Sequence, residues 1–257
     1  MDYTQGSFPI VRKENLAKNC YSLWVECPAI AAAAQPGQFA HLRAEGFSLR
    51  RPISICEIDR EQGRLRFVFE ERGDGTAALA RLNEGGSLDL IAPLGKGFTL
   101  HPGKRAALVG GGIGTPPMLE LAKAYGKDAA AFLGFRSASA VILEQDFLRT
   151  GAAAFLCTDD GTAGIHGFVT QPLEQELQGG GYDIVYACGP KGMLQNVVRL
   201  AERYSVPCEV SLEERMGCGV GACLVCACKC VKDGKEWYAH VCKDGPVFPS
   251  EQVVWED

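Results

Sequence analysis

The stretch Arg105-Ala106-Ala107-Leu108-Val109-Gly110-Gly111-Gly112-Ile113-Gly114-Thr115-Pro116-Pro117 passes from an apolar run through a glycine turn into a helix start. A short, unbroken apolar run bounded by turn residues is the pattern of a strand buried on both faces. Thr115 is placed to cap a helix over 116–125, with Pro116 at its first position, where a missing N–H costs nothing. A strand feeding a glycine turn and then a helix start aims free N–H groups and the positive end of the helix dipole at one point. Gly110, Gly112, Gly114 and Thr115 are therefore candidates to bind a phosphate. The run departs from G-x-G-x-x-G, because Thr115-Pro116-Pro117 replaces its end, so a tight strand-to-helix turn without a ligand also fits.

Toward the C-terminus, residues 129–133, 153–157 and 183–188 read as further strands. Residues 145–149, 171–178 and 189–204 read as helices. This alternation predicts a parallel, doubly wound sheet. Cys188-Gly189-Pro190 falls where one of its strands ends, the usual place for ligand contact in such sheets; a buried structural cysteine is the plainer alternative. Toward the N-terminus the period changes. Residues 22–27, 38–43 and 64–69 alternate apolar and polar, with Pro36-Gly37, Gln62-Gly63 and Gly85-Gly86 between or beyond them. Short alternating strands punctuated in this way predict a small antiparallel barrel. One helix, over 76–83, interrupts it. Gly73-Asp74-Gly75-Thr76 opens that helix and is either a second anion site or an ordinary helix entry. In Arg50-Arg51-Pro52-Ile53-Ser54, Arg51 can pair bidentately with a phosphate, Pro52 fixes its own φ and Ser54 offers a hydroxyl. A solvated arginine pair is the alternative.

Beyond residue 207 the chain becomes rich in cysteine. Cys218, Cys223 and Cys226 form C-x₄-C-x₂-C, and Cys242 follows. This is the spacing of a plant-type 2Fe–2S site, in which four thiolates converge from a tight loop and one distant position. Gly217, Gly219 and Gly221 let such a loop curl and turn its N–H groups toward sulfur. Zinc is the rival, although structural zinc sites usually pair two C-x₂-C elements and the second is missing. Cys228 and Cys230 add a C-x-C that reads as alternating strand positions, not ligands.

Composition narrows the function. The chain has 257 residues, enough for two or three small domains. A net charge of −5 without basic clusters argues against nucleic acid. No apolar run reaches the ~18 residues a membrane span needs. Met1-Asp2-Tyr3-Thr4-Gln5 lacks the basic and apolar regions of an export signal. Twelve cysteines without such a signal imply a reducing compartment, hence the cytoplasm. No Ser/His/Asp or paired-carboxylate arrangement suggests hydrolysis, and His41, His101, His166 and His240 are scattered.

Together these motifs resemble the ferredoxin–NADP reductase superfamily. Arg51-Pro52-Ile53-Ser54 resembles its flavin-binding R-x-x-S, with Ile53 where an aromatic is usual. Gly73 to Thr76 matches its flavin pyrophosphate loop, Gly110 to Pro117 its nicotinamide nucleotide loop, and Cys188-Gly189-Pro190 the C-G-P beside the nicotinamide. Residues 211–223 and Val241-Cys242-Lys243-Asp244-Gly245-Pro246-Val247-Phe248 are very similar to one branch, the electron-transfer subunits of two-subunit, NAD-linked dihydroorotate dehydrogenases. The similarity spans nearly the whole chain.

That resemblance implies three domains: an FAD-binding barrel over 1–100, an NAD-binding α/β domain over 101–207 and a cluster domain over 208–257. It implies FAD held by Arg51, Pro52, Ile53, Ser54, Gly73, Gly75 and Thr76, and NAD held by Gly110, Gly112, Gly114 and Thr115. Cys188 would be the catalytic-site residue near the nicotinamide. Cys218, Cys223, Cys226 and Cys242 would hold a 2Fe–2S cluster. The implied partner is an FMN-containing, dihydroorotate-oxidising catalytic subunit, in a heterotetramer with two copies of each chain. Electrons would reach NAD⁺ through the cluster and FAD, in pyrimidine biosynthesis. A reductase subunit serving another donor, such as a ferredoxin or a sulfur compound, is the alternative, and a non-enzymatic cluster- or zinc-bearing module a third. Arg136-Ser137 could accept a 2′-phosphate, whereas Asp159 or Asp160 would favour a free ribose.

Overall fold

The structure, a computed structural model, describes residues 3–255; Met1 and Asp2, part of the N-terminal stretch read above, lie outside the described residues. The first half is a closed six-stranded barrel. Its strands are β1 (Thr4–Ala17), β2 (Cys20–Glu26), β3 (Phe39–Leu42), β4 (Arg51–Asp59), β5 (Arg64–Glu70) and β6 (Ser87–Leu94). They close in the order β1-β2-β5-β4-β3-β6, with antiparallel neighbours throughout. Helix α1 (Pro28–Ala33) follows β2, and α2 (Asp74–Ala80) follows β5. Strand β5 explains the barrel's construction. Leu65, Phe67 and Phe69 fill the interior. Val68, on the opposite face, packs into the other half of the molecule, and Arg66 faces that half through Asp146, 3.3 Å away.

The second half is a seven-stranded sheet in the order β10-β9-β8-β7-β11-β12-β15. Its members are β7 (Ala106–Gly111), β8 (Ala129–Phe135), β9 (Ala153–Thr158), β10 (Ile165–His166), β11 (Ile184–Cys188), β12 (Cys208–Ser211) and β15 (Val247–Pro249). All neighbours are parallel except β12 and β15. Helices α3 (Pro116–Tyr125), α4 (Glu144–Arg149), α5 (Thr170–Gly179) and α6 (Lys191–Arg203) cover it. The chain works outward from β7 to β10, then returns to place β11 on the other side of β7. A crevice therefore opens beyond the carboxyl ends of β7 and β11, the ligand position in doubly wound sheets. Strands β13 (Ala227–Lys232) and β14 (Lys235–His240) form a separate hairpin.

The barrel and the parallel sheet agree with the sequence expectation; several elements do not. Strands β1, β4 and β6 and helix α1 carry too mixed a pattern to be read. Thr4–Ala17 includes Gly6, Pro9 and three consecutive charges, yet it pairs on both sides, with β2 and β6. The last helix starts at Lys191, because Pro190 is extended (ψ 143°). The sheet also runs past residue 207, drawing in Cys208–Ser211 and Val247–Pro249.

The two halves are tied together at α3. The buried Glu120 carboxylate accepts the Ile58 N–H at 2.9 Å and pairs with Lys123 at 3.3 Å. Lys123 also reaches Glu57 at 3.3 Å. Arg66 is only 6% exposed at its side chain and is ringed by Glu14, Glu57 and Asp146.

Candidate functional site

The four cysteines lie in two pairs. The Cys218 N–H points at Cys223 Sγ (3.3 Å) and the Cys223 N–H at Cys218 Sγ (3.4 Å). The Cys242 N–H points at Cys226 Sγ (3.4 Å). The curled loop adds N–H groups from Val220 (3.4 Å) and Ala222 (3.2 Å) onto Cys218 Sγ, and from Gly221 (3.1 Å) onto Cys242 Sγ. Burial pushes the Cys218 thiol up, but the N–H groups of Val220, Cys223 and Ala222 outweigh it and bring the pKa down to about 6. That environment is prepared for a thiolate ligand. A two-iron cluster takes two thiolates per iron, which the pairing supplies. Cys228 and Cys230 share one face of β13, as i,i+2 strand residues must, with sulfurs 3.8 Å apart.

A second site lies at the barrel rim, in a cavity of about 400 Å³ lined by Phe47, Arg51, Arg72, Gly73, Asp74, Gly75 and Thr76. The Arg51 guanidinium donates to the Leu49 carbonyl at 2.8 Å and lies 5.3 Å from the Phe47 ring. A Cβ at Gly75 would overlap that guanidinium, so glycine there lets the helix start and the arginine share one anion cradle. The Thr76 hydroxyl is occupied: it accepts the Arg72 and Gly73 N–H groups and donates to the Gly73 carbonyl. Pro52 and Ser54 lie opposite His41 and Phe39 in the β3–β4 ladder.

The third site is the switch-point crevice, part of a cavity of about 840 Å³. Gly111, Gly112, Ile113 and Gly114 line it at and beyond the end of β7, and Gly189 and Pro190 beyond the end of β11. A Cβ at Gly114 would strike the Cys188 backbone carbonyl, so the two strand ends meet only through glycine. Thr115 heads α3 without capping it. Its hydroxyl is fully buried and unpartnered, and neither Thr115 nor Gly110 reaches the cavity lining. Arg136 and Asp159 both face the cavity. Asp160 turns away to the Thr162 N–H (3.0 Å) and hydroxyl (2.6 Å). Cys188 is 2% exposed, and burial pushes its thiol up to about 12, with Glu213 adding to the rise and Ser211 opposing it. It packs beneath the turn and offers no titrating group to the crevice.

Comparison with known proteins separates the branches of this fold. A profile of the iron-sulfur cluster binding domain of dihydroorotate dehydrogenase B matches residues 213–254. The dihydroorotate dehydrogenase B (NAD(+)) electron transfer subunit of Geobacillus thermodenitrificans is 44% identical over 255 residues, covering 95% of this chain and 96% of the relative. The chain belongs to this family of electron transfer subunits. A solved NADH-dependent reduced ferredoxin-NADP oxidoreductase superposes with a TM-score of 0.87 at 29% identity, over 96% of this chain and 90% of that one. A ferredoxin reductase of carbazole 1,9a-dioxygenase shares the fold, with a TM-score of 0.67 at 21% identity over 80% of this chain and 68% of that one.

Two residues of this family member escaped the sequence reading. Arg72 lines both the rim cavity and the crevice cavity; nothing in its sequence context marks that double position. His41, one of four scattered histidines, is fully buried behind the cluster loop.

Proposed function

We propose that this chain takes electrons from a dihydroorotate-oxidising, FMN-containing partner subunit and delivers them through a 2Fe–2S cluster and FAD to NAD⁺, in pyrimidine biosynthesis. The observation that carries this reading is the contiguity of the three sites. His41 touches the cluster loop and is the register partner of Pro52 on β4, and Arg72 joins the β4 rim to the crevice. A bound flavin supplies the conversion between one-electron transfer and hydride transfer. The chain's own residues position it. Cys218, Cys223, Cys226 and Cys242 would hold the cluster. Arg51, extended Gly73 and the N–H groups at Gly75 and Thr76 line the pyrophosphate cradle of FAD, while Pro52, Ile53 and Ser54 line the flavin ring. Gly112 and Gly114 receive the NAD phosphates on a turn that Gly110 and Thr115 shape, with Cys188 packed beneath the nicotinamide end. Asp159 faces the cavity beside Arg136 and would favour a free ribose; with the family likeness, this selects NAD over NADP.

In this reading residues 1–100 carry FAD, 101–207 carry NAD and 208–257 carry the cluster. The exposed Leu224 and Val225, beside Cys223 and Cys226, form part of the face that meets the partner, with two copies of each chain in the assembly. Among the described residues no helix is long and apolar enough to cross a membrane, and all twelve cysteines are unpaired, in keeping with the cytoplasm.

The test uses the chain co-expressed with its partner. Cys226→Ser should abolish dihydroorotate-dependent NAD⁺ reduction while NADH still reduces ferricyanide through the flavin. Retention of both activities would remove the cluster from the path. The likeness to the reduced ferredoxin-NADP oxidoreductase supports a second reading, with reduced ferredoxin as donor. NAD⁺ reduction by reduced ferredoxin, without any by dihydroorotate, would select it.

A further inference from the structure

The layer between the cluster loop and the flavin-binding strand contains a polar group with no partner. On β3, Ala40 and Leu42 point into the barrel core. Phe39 points the other way, into the cluster core with Cys226, Cys242 and Phe248. His41 follows Phe39 by two residues and so shares its outward face. Its side chain is fully buried, and neither ring nitrogen completes a hydrogen bond. Among the described residues it alone has two such orphaned atoms. A buried imidazole with nothing bonded is costly, so its presence here calls for a partner.

The surroundings say where that partner is. A Cβ at Gly219 would come within 2.6 Å of His41 Nδ1, and the glycine's φ of +74° curls the loop over the ring. The Cys218 carbonyl faces the ring. Burial and the charge of Arg50 pull the imidazole's pKa down and the Cys218 carbonyl opposes them; a ring N–H is available to donate to that carbonyl. Its cross-strand neighbours are Pro52 on β4 and Ile91 on β6.

We propose that His41 is a positioning residue for electron transfer: its buried imidazole donates a ring N–H to the Cys218 carbonyl and thereby fixes the cluster loop against the flavin-binding strand. The bond would stiffen the ligand loop and set how the Val220 and Ala222 N–H groups meet the Cys218 sulfur. Partners one layer out from a metal ligand typically alter affinity or activity by about 10–100-fold when removed. This rests on the cluster and flavin assignments above.

Two variants of similar volume test it. His41→Leu removes every polar atom; His41→Gln keeps an N–H. Both are compared with wild type for iron and FAD content, the cluster midpoint potential, and the rate at which excess NADH reduces the cluster, one electron per cluster, in stopped flow. His41→Leu should slow cluster reduction at least tenfold and shift the midpoint, while His41→Gln recovers most of the rate. Loss of the cluster from His41→Leu alone would support the same bond by showing that the loop needs it. Wild-type potential and rate in His41→Leu would overturn the proposal, as would equal defects in both variants, which would reduce His41 to filler. A wild-type protein without cluster or flavin would instead overturn the functional assignment.

Discussion

Gly73 and Gly75 flank Asp74 in one loop, but the fold asks different things of them. Gly73 has φ −175°, extended backbone that any residue adopts, and a Cβ there would meet nothing within 4 Å. A Cβ at Gly75 would overlap Nε, Cζ and Nη2 of Arg51. The guanidinium would have to retreat by about 1 Å to regain ordinary contact, away from the Leu49 carbonyl and Phe47 ring that orient it. A bidentate fork displaced that far no longer aligns with a phosphate. One charge-assisted hydrogen bond is worth about 1.5–3 kcal/mol, which is roughly 10- to 150-fold in Kd. Gly75→Ala should therefore weaken FAD by that factor, while Gly73→Ala stays within about twofold of wild type. Titration of FAD into the flavin-stripped protein, followed by quenching of flavin fluorescence, measures both. Equal affinity in Gly75→Ala and wild type would refute the Arg51–Gly75 cradle.

Other expectations follow from the same geometry. Gly114→Ala drives a Cβ into the Cys188 carbonyl, which cannot swing aside, so kcat/KM for NADH with ferricyanide should fall more than about tenfold. Gly112→Ala carries only its left-handed φ of +53° with open space around it, a cost of about 1–2 kcal/mol, and should lose far less activity; the reverse order would sink the switch-point assignment. Glu120→Leu strands the buried Ile58 N–H, worth about 2 kcal/mol, and should lower Tm by about 4–8 °C in calorimetry; an unchanged Tm would mean that α3 does not clamp the two halves. Cys188, with its thiol raised to about 12, stays protonated at every pH below that value, so Cys188→Ala should leave the shape of the pH profile of NADH oxidation unaltered. An ionisation between about pH 6 and 10 that vanishes in the variant would assign Cys188 a proton-transfer role.

The sequence was most legible where local geometry alone decides the outcome. The glycine turn after β7 and the C-x₄-C-x₂-C loop are short, and their residue types admit few conformations, so both could be read directly. The barrel was legible only in part. Strands 22–27 and 64–69 alternate because one face meets the core, whereas β1 pairs with two strands while carrying Gly6, Pro9 and a run of charge. Its place is set by closure of the barrel, a non-local fact. Thr115 illustrates a subtler limit. Its type and position suit an N-cap, but Gly110 approaches its hydroxyl so closely that a Cβ there would lie 2.9 Å from Oγ1. The side chain is thereby packed into the turn and leaves the helix start uncapped.

The segment from Cys242 to Pro249 links the three parts of the molecule. Cys242 pairs with Cys226 in the cluster site. Three residues on, the Gly245 carbonyl accepts the Lys96 N–H at the barrel's end, at 2.5 Å, and the Pro246 carbonyl accepts the Leu212 N–H at 2.9 Å. Val247–Pro249 then closes the edge of the nucleotide sheet against β12, while Phe248 packs with Phe39, Cys226 and Cys242. One run of eight residues thus ties together the cluster site, the end of the barrel and the edge of the nucleotide sheet, and a Cβ at Gly245 would collide with the Phe248 ring. A substitution here cannot be absorbed by one domain, because each neighbour is anchored to a different one. The distances between cluster, flavin strand and nicotinamide crevice are therefore set together by this tie and by the Glu120 clamp, which is what a relay of electrons over fixed gaps requires of its scaffold.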